Sequence, residues 1–387
     1  MGQTFRLTAP RAKLTTKHCY GKLGEILFGN RASILVHLLA VPLRPPPDSP
    51  QNPPVDSANT TCGEKRGIKR VRDENDVHTE SSQRRKTKAQ DRDETVTLFS
   101  LPLELHRLIF SFIVDIDDVL CFGMTNQYFL RICHQFWEHY YMSCLGRWAG
   151  KNIVCVGEDV EPHDYPPGLF SSEEIESLRQ TTIKLDEDGY LDEEDGYPNE
   201  EAVESQPFTL WHFTQPGVSM VDKFQDFGLY TLGCDLERRF LRRKLYRDPA
   251  LTHLEEQFSV DDETYFPTGQ RWILRNLTTK QIVRSDAIAL SPDHISGPNI
   301  KVFGFGEVLL SRICWSTNPV MFPSSDTFTR GIWAGHRFDI TTLSRHEVDT
   351  QGEEWTDVSD EVAREVASIW EGCYGPDWRE ELIKKHR

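Results

Sequence analysis

Histidine and carboxylate side chains could carry out chemistry in this sequence, but their spacing predicts no reaction. The chain lacks a GxSxG nucleophile elbow, an HExxH zinc helix and a P-loop. His336 in AGHRFD and His346 in SRHEVD could act as bases. A single histidine beside Trp or Phe is more often packed or hydrogen-bonded. We therefore predict that the protein is not an enzyme and has no catalytic residue and no cofactor.

Metal binding is not predicted either. The nine cysteines form no CxxC pair, so neither a zinc ribbon nor a redox dithiol is indicated. Asp186, Asp188 and Gly189 match part of a calcium-binding loop, but Lys184 would occupy the first ligand position. The stretch 186–204 is therefore interpreted as a solvated acidic loop, with a basic partner as the alternative.

One basic run, RRFLRRKLYR from Arg238 to Arg247, could bind phosphate groups, because arginine clusters hold such anions in bidentate fashion. The favoured interpretation is an amphipathic helix. Its charged stems would lie over the core while Phe240, Leu241 and Leu245 turn inward.

Composition excludes several classes of protein. The formal net charge of the 387 residues is -16, which argues against nucleic acid as the main partner. The longest apolar run, from Ile34 to Leu43, contains His37 and Pro42 and is too short to span a membrane. We expect no membrane partner and a location in the nucleus, the cytoplasm or both.

The chain divides at a change of composition. Residues 1–43 are predicted to form an N-terminal helical segment, in which Ile34, Leu35, Leu38 and Leu39 share one face. Residues 44–96, rich in proline and then in charge, are predicted to be a disordered linker. Because so short a helix is marginal alone, we expect its apolar face to pack on the folded part beyond the linker.

Two basic clusters lie inside the linker, separated by an acidic and polar spacer. This layout is typical of a bipartite nuclear import signal. A solvated mixed-charge linker is the alternative. The import candidates are Lys69, Arg70, Arg72, Arg84, Arg85 and Lys86.

A helical pattern runs from Leu98 to Tyr141. Leu105, Leu108, Ile109 and Phe112 recur at helical spacing, with Pro102 in the first turn. We expect Asp117 to cap a second helix and Asn126 to open a third. Three short helices cannot bury all the large apolar side chains of this segment, so some must face a partner.

These residues resemble an F-box. Leu101-Pro102-x-Glu104-Leu105, then Ile109 and Ile113, then Val119-Leu120, appear in the order and spacing of that family. The resemblance implies a three-helix module over 97–150 that binds the Skp adaptor of SCF ubiquitin ligases. The implied adaptor-binding residues are Leu101, Pro102, Glu104, Leu105, Ile109, Ile113, Val119 and Leu120. The alternative is an ordinary helical bundle inside a larger domain.

Residues 151–387 are predicted to form a β-rich α+β domain. RWILRNLTTKQIVR predicts a hairpin, Gly304 and Gly306 suit a bulge or a close backbone approach, and DVSDEVAREVASIWEG predicts a helix. FTLWHF, QIVRSDAIAL and IKVFGFGEVLLSRICW are interpreted as β-rich. WILRNLTTK, GFGEVLLSRICWS and GIWAGHRFDI resemble a region of little-characterised fungal F-box proteins, which implies no known substrate.

Exposed Trp and Arg often anchor interfaces. The candidates for substrate recognition are Trp272, Arg275, Trp333, His336 and Arg337. We therefore expect the substrate receptor of an SCF-type cullin ligase, with the Skp adaptor, the cullin scaffold and an unknown protein substrate as partners. The alternative is a non-enzymatic binding module that acts outside ubiquitination.

Overall fold

A computed structural model describes six stretches of the chain. They are residues 2–29, 31–43, 98–184, 205–221, 262–319 and 328–385. The chain divides into two compact units, one of residues 1–44 with 115–387 and one of residues 45–114. The described residues mix helix and sheet, which confirms the α+β class.

The strands are short, and most belong to the larger unit's two main sheets. They are β1 (Thr4–Ala9), β2 (Leu14–Lys22), β3 (Val154–Gly157), β4 (Thr182–Lys184), β5 (Ser205–Pro207), β6 (Met220–Val221), β7 (Trp272–Asn276), β8 (Gln281–Arg284), β9 (Ile295–Ser296), β10 (Asn299–Ile300), β11 (Cys314–Trp315), β12 (Phe338–Thr342) and β13 (Thr356–Asp357).

The described helices carry the labels that follow. They are α1 (Leu23–Phe28), α2 (Ile34–Leu39), α3 (Leu103–Phe112), α4 (Ile116–Gly123), α5 (Gln127–Cys144), α6 (Ser172–Arg179), α7 (Asp262–Tyr265), α8 (Ser285–Ile288), α9 (Phe305–Ile313), α10 (Leu343–Asp349), α11 (Ser359–Tyr374) and α12 (Trp378–Lys385).

The N-terminus is not wholly helical, so the prediction for residues 1–43 is wrong in its first half. Phe5, Leu7 and Ala9 alternate along β1 and are fully buried, which is the pattern of a strand. A 3-10 turn follows, and Lys13 takes a left-handed conformation (φ 50°) before β2 pairs antiparallel with β1. The second half of that prediction is confirmed, because Leu23–Phe28 and Ile34–Leu39 form α1 and α2.

A five-stranded sheet depends on this N-terminal hairpin. Its strand order is β11-β3-β1-β2-β6, so β1 is the central strand and pairs antiparallel with both neighbours. β11 and β6 join the edges in parallel pairing. The sheet therefore cannot form without a strand supplied by the first ten residues.

The N-terminal helices pack into the core of the α+β unit, as the sequence predicted. Leu35 and Leu39 on α2 are fully buried in one apolar cluster with Val366 and Trp370 on α11. The start of α9 also lies very close to the turn that precedes α2. A Cβ at Gly306 would be 2.1 Å from the carbonyl oxygen of Ala32. The predicted close backbone approach at Gly306 is thereby confirmed.

The second sheet has the order β12-β7-β8-β13. β7 and β8 form the predicted hairpin with Ile273 opposite Arg284, and Lys280 turns between them with φ 54°. β12 pairs antiparallel with β7 along its whole length, and β13 pairs parallel with β8. α11 is the predicted helix, and its Val362, Val366, Ile369 and Trp370 are all buried.

Three segments interpreted as β-rich contain helical structure. Leu210–Thr214 in FTLWHF forms a 3-10 turn, Ser285–Ile288 forms α8, and Phe305–Ile313 forms α9. All nine residues of α9 are buried, so the segment shows no amphipathic alternation of either period. A continuous apolar run of this kind does not distinguish helix from strand.

The two helices after residue 115 begin close to their predicted positions. Asn126 caps α5 as predicted, since its side chain accepts a hydrogen bond from the backbone N–H of Tyr128 at 2.8 Å. A cap at Asp117 would start the helix at residue 118, but α4 begins two residues earlier, at Ile116, so position 117 lies inside the helix. Both helices belong to the α+β unit, and the compact units thus divide the chain differently from the predicted 97–150 and 151–387.

Glu307 is a buried carboxylate at the start of α9. It accepts a hydrogen bond from the backbone N–H of Gly304 at 2.8 Å. Burial raises the pKa of Glu307 to about 7, although that hydrogen bond and the Glu307 backbone N–H oppose the rise. A raised folded pKa means that stability is fully present below pH 4.5 and is lost as pH rises through about 7.

We expect Glu307→Gln to stabilise the fold at pH 8 by about 3 kcal/mol, and to change it little near pH 4.5. The amide oxygen keeps the hydrogen bond without the buried charge. Urea unfolding of both proteins across this pH range measures the difference. Glu354→Gln, at an exposed site, is the control, and a Glu307→Gln effect that does not depend on pH would contradict the burial argument.

Candidate functional site

Residues 98–114 form a short 3-10 turn, Leu98–Ser100, followed by helix α3. Pro102 stands immediately before the helix, where its missing N–H costs no helical hydrogen bond. The carbonyl of Pro102 accepts hydrogen bonds from the N–H groups of Leu105 and His106 and so starts the helix. The segment is therefore a locally well-defined helix with a fixed entry.

Helix α3 carries two apolar stripes. His106 and Phe110, one turn apart, are buried, and Ile109 and Ile113 beside them are half-buried. Leu105, Leu108 and Phe112 form the other stripe and are 43%, 49% and 76% exposed. A helix of a monomeric protein normally presents only one apolar stripe.

Exposed apolar side chains also occur in the residues that flank this stripe. Seven of the thirteen large exposed apolar side chains found in the described residues lie in this one segment of the chain. They are Leu98, Phe99, Leu103, Leu105, Leu108, Phe112 and Val114, which together we call the docking stripe. Exposed large apolar side chains concentrated in one segment in this way indicate an interaction site.

The structure leaves part of the predicted adaptor face accessible. Pro102, Glu104 and Leu105 are exposed, and Leu101 is half-buried beside them. Ile109 and Ile113 are half-buried on the other stripe. Of the seven side chains in the docking stripe, only Leu105 was among the predicted adaptor-binding residues. Leu108 and Phe112 were predicted only as part of the helical pattern.

Val119 and Leu120 cannot contact an adaptor directly, which corrects their prediction. Only 3% of Val119 and 2% of Leu120 are exposed, because α4 packs on α5. The two helices approach closely where the thiol of Cys133 reaches the carbonyl of Val119 at 3.4 Å. A Cβ at Gly123 would lie 2.5 Å from the Cβ of Cys133. These side chains hold the helix pair together.

Both tryptophans among the predicted substrate-recognition residues are structural. Trp272 is fully buried and donates its indole N–H to the carbonyl of Pro267 at 3.1 Å. Trp333 is buried and donates to Oε1 of Gln281 at 3.0 Å, with the guanidinium of Arg312 over its ring at 4.6 Å. Buried aromatic rings with satisfied N–H groups stabilise a core rather than bind a partner.

Arg275 is also buried, and the prediction that it binds a substrate is wrong. Its Nε and Nη2 donate to the two carboxylate oxygens of Asp339 at 2.8 and 2.7 Å, and Nη1 reaches Asp349 at 3.3 Å. Burial lowers the pKa of Arg275, but the two aspartates outweigh it and raise that pKa overall. The bidentate pair joins β7 to β12 across the sheet.

Removing one partner of this pair should be costly. We expect Asp339→Ala to lower the free energy of unfolding by about 3–5 kcal/mol, because it removes the bidentate partner of the buried Arg275 charge and leaves the longer contact to Asp349. Arg275→Met with Asp339→Leu should recover most of the loss. Arg345→Ala, which removes an exposed ion pair to Asp349, should cost less than about 1 kcal/mol. Chemical denaturation measures all three, and equal losses would contradict this assignment.

His336 and Arg337 are the predicted recognition residues nearest the surface. Arg337 is exposed, and His336 is half-buried with its Nδ1 3.0 Å from the amide nitrogen of Asn276. Burial lowers the pKa of His336. His346 is buried edge-on against Trp355 at 5.0 Å, and burial followed by the charge of Arg275 lowers its pKa. Both imidazoles are therefore neutral over a wider pH range than a solvent-exposed histidine.

Within the described stretches, no group of three or more His, Cys, Asp or Glu side chains is placed to hold a metal ion. No described helix is both long enough and apolar enough to cross a membrane. The linker 44–96 with its import candidates, the acidic loop 186–204 and the basic run Arg238–Arg247 lie outside the described residues, and their roles stay predictions.

Comparisons with family models, with curated proteins and with solved structures find no match to this chain. The resemblance to an F-box therefore rests on the ordered sequence pattern alone.

Proposed function

We propose that the protein is a substrate-receptor subunit of an SCF-type ubiquitin ligase and binds the Skp adaptor through residues 98–114. The observation that carries this proposal is the docking stripe, which leaves seven large apolar side chains exposed on one short segment. The same segment contains the Leu101-Pro102-x-Glu104-Leu105 pattern that resembles the adaptor-binding part of an F-box. A protein partner explains both the exposure and the pattern.

Docking would remove this surface from water. Each large side chain contributes about 1.5–3 kcal/mol when it becomes fully buried, part of which association entropy offsets. Several such anchors together suffice for a stable complex. Their leucine and phenylalanine chemistry favours an apolar groove on the partner over a charged or nucleic-acid surface.

Substrate recruitment is the second part of the proposal. The α+β unit would hold a protein substrate, and the adaptor would connect it to the cullin scaffold. The receptor itself needs no catalytic residue, because raising the local concentration of substrate lysines near the charged conjugating enzyme accelerates transfer. Of the recognition candidates, Arg337 and His336 remain accessible for this role.

The adaptor interface is tested by Leu101→Ala combined with Pro102→Ala. We expect the double variant to lose co-purification of the Skp adaptor while the α+β unit keeps its melting temperature. Undiminished recovery of the adaptor would show that this face is not the interface. Recovery of a cullin with the wild-type protein separates a ligase subunit from a binding module that uses the adaptor alone.

A further inference from the structure

A histidine fastens the turn that precedes helix α3. The carbonyl oxygen of Leu98 accepts a hydrogen bond from the backbone N–H of Leu101 at 3.3 Å. It also contacts Nε2 of His106 at 2.7 Å, so this ring nitrogen is the donor. His106 is only 1% exposed, whereas its acceptor belongs to a residue at the surface. One buried side chain thus closes a loop between two residues that are eight positions apart.

This contact decides where two members of the docking stripe lie. Leu98 and Phe99 are 38% and 59% exposed and stand in a 3-10 turn of only three residues. So short a turn has little stability of its own. Without His106, the Leu98 carbonyl loses the shorter of these two hydrogen bonds, which is the one that ties the turn directly to α3.

We propose that His106 is a positioning residue for adaptor binding, which it serves by holding the turn that carries Leu98 and Phe99 beside helix α3. This inference rests on the proposed function and extends the interface to the N-terminal side of Leu101. The occupant is the apolar groove of the Skp adaptor. Fixing both side chains before docking spares the complex their ordering entropy.

The geometry makes a specific demand on residue 106. The side chain must be long enough to donate a hydrogen bond to the Leu98 carbonyl, as Nε2 does, and must tolerate burial. Gln can place an amide N–H near the same point, so His106→Gln should retain the turn. Leu fills similar space but donates nothing, so His106→Leu should keep the packing and release the turn.

Calorimetric titration of purified Skp adaptor into the whole chain and its variants tests the inference. We expect His106→Leu to weaken binding about five- to tenfold and Phe99→Ala to weaken it about tenfold or more. His106→Gln should stay within about twofold of wild type. In the Phe99→Ala background, His106→Leu should lose part of its effect, because one of the two side chains that His106 positions is already removed.

The outcomes are distinguishable. A wild-type chain that does not bind the adaptor overturns the proposed function and this inference together. Wild-type binding with unaffected His106→Leu overturns the inference alone. If His106→Leu weakens binding equally with and without Phe99, or if His106→Gln is as weak as His106→Leu, the histidine supports only the packing of α3 and the inference fails. If His106→Leu has a lowered melting temperature, the variants Phe99→Ala and His106→Gln test the inference instead. Wild-type affinity of Phe99→Ala, or loss of binding by a normally folded His106→Gln, then overturns the inference.

Discussion

A chain that lacks residues 2–43 is expected not to fold. These residues supply β1, the central strand of the five-stranded sheet, so their removal leaves β2 and β3 without the strand that joins them. The deletion also removes four fully buried side chains from the core, which are Phe5, Leu7, Leu35 and Leu39. The N-terminal segment is thus part of the α+β unit, although more than fifty residues separate it from residue 98.

The expected effect exceeds the stability of a typical domain. Truncating one buried leucine or phenylalanine costs about 2–5 kcal/mol, against a total stability of about 5–15 kcal/mol. Circular dichroism and solubility of the deletion variant measure the loss.

Proteolytic cleavage between residues 54 and 94 is the matched control. It breaks the chain but removes none of these contacts, and both pieces should remain associated on a sizing column. A folded deletion variant, or clean separation of the cleaved pieces at micromolar concentration, would contradict this assignment.

Charges placed on the docking stripe are expected to abolish adaptor binding without unfolding the protein. Leu105→Glu, Leu108→Glu and Phe112→Glu introduce carboxylates that water solvates in the free chain but that docking must bury. Co-purification of the adaptor should fall below detection while the melting temperature stays within a few degrees. Solubility should rise, because exposed apolar surface is removed.

The control for this triple variant is Val348→Glu on α10, which replaces another exposed apolar side chain away from the docking stripe. It should leave adaptor binding unchanged. Adaptor recovery at wild-type level by the triple variant would exclude the stripe as the interface. Loss of binding together with loss of the folded state would point instead to a structural role for these three residues.

The sequence predicted helix α3 but not which of its faces meets water. Two sets of apolar residues recur at helical spacing, one of Leu105, Leu108 and Phe112 and one of Ile109 and Ile113. Periodicity therefore predicts the helix but not which set is exposed. Exposure depends on residues distant in sequence. For the same reason, Val119 and Leu120 could not be recognised as buried.

Recognition residues in the α+β unit were harder to predict. Trp and Arg anchor interfaces and also fill cores, and the choice for Arg275 depends on Asp339, which lies 64 residues further along the chain. Only the pairing of β7 with β12 brings them together. Local patterns located the hairpin and α11 well, because their signals lie within a few residues.

Binding of a purified Skp adaptor to the purified 387-residue chain tests the proposed docking most directly. Titration calorimetry with sizing chromatography should show a one-to-one complex with a dissociation constant on the order of 1 μM or tighter, as expected for several buried apolar anchors. If both proteins are present at about 50 μM and the experiments show no heat of binding and no co-elution, the assignment of residues 98–114 as an adaptor-binding segment is contradicted.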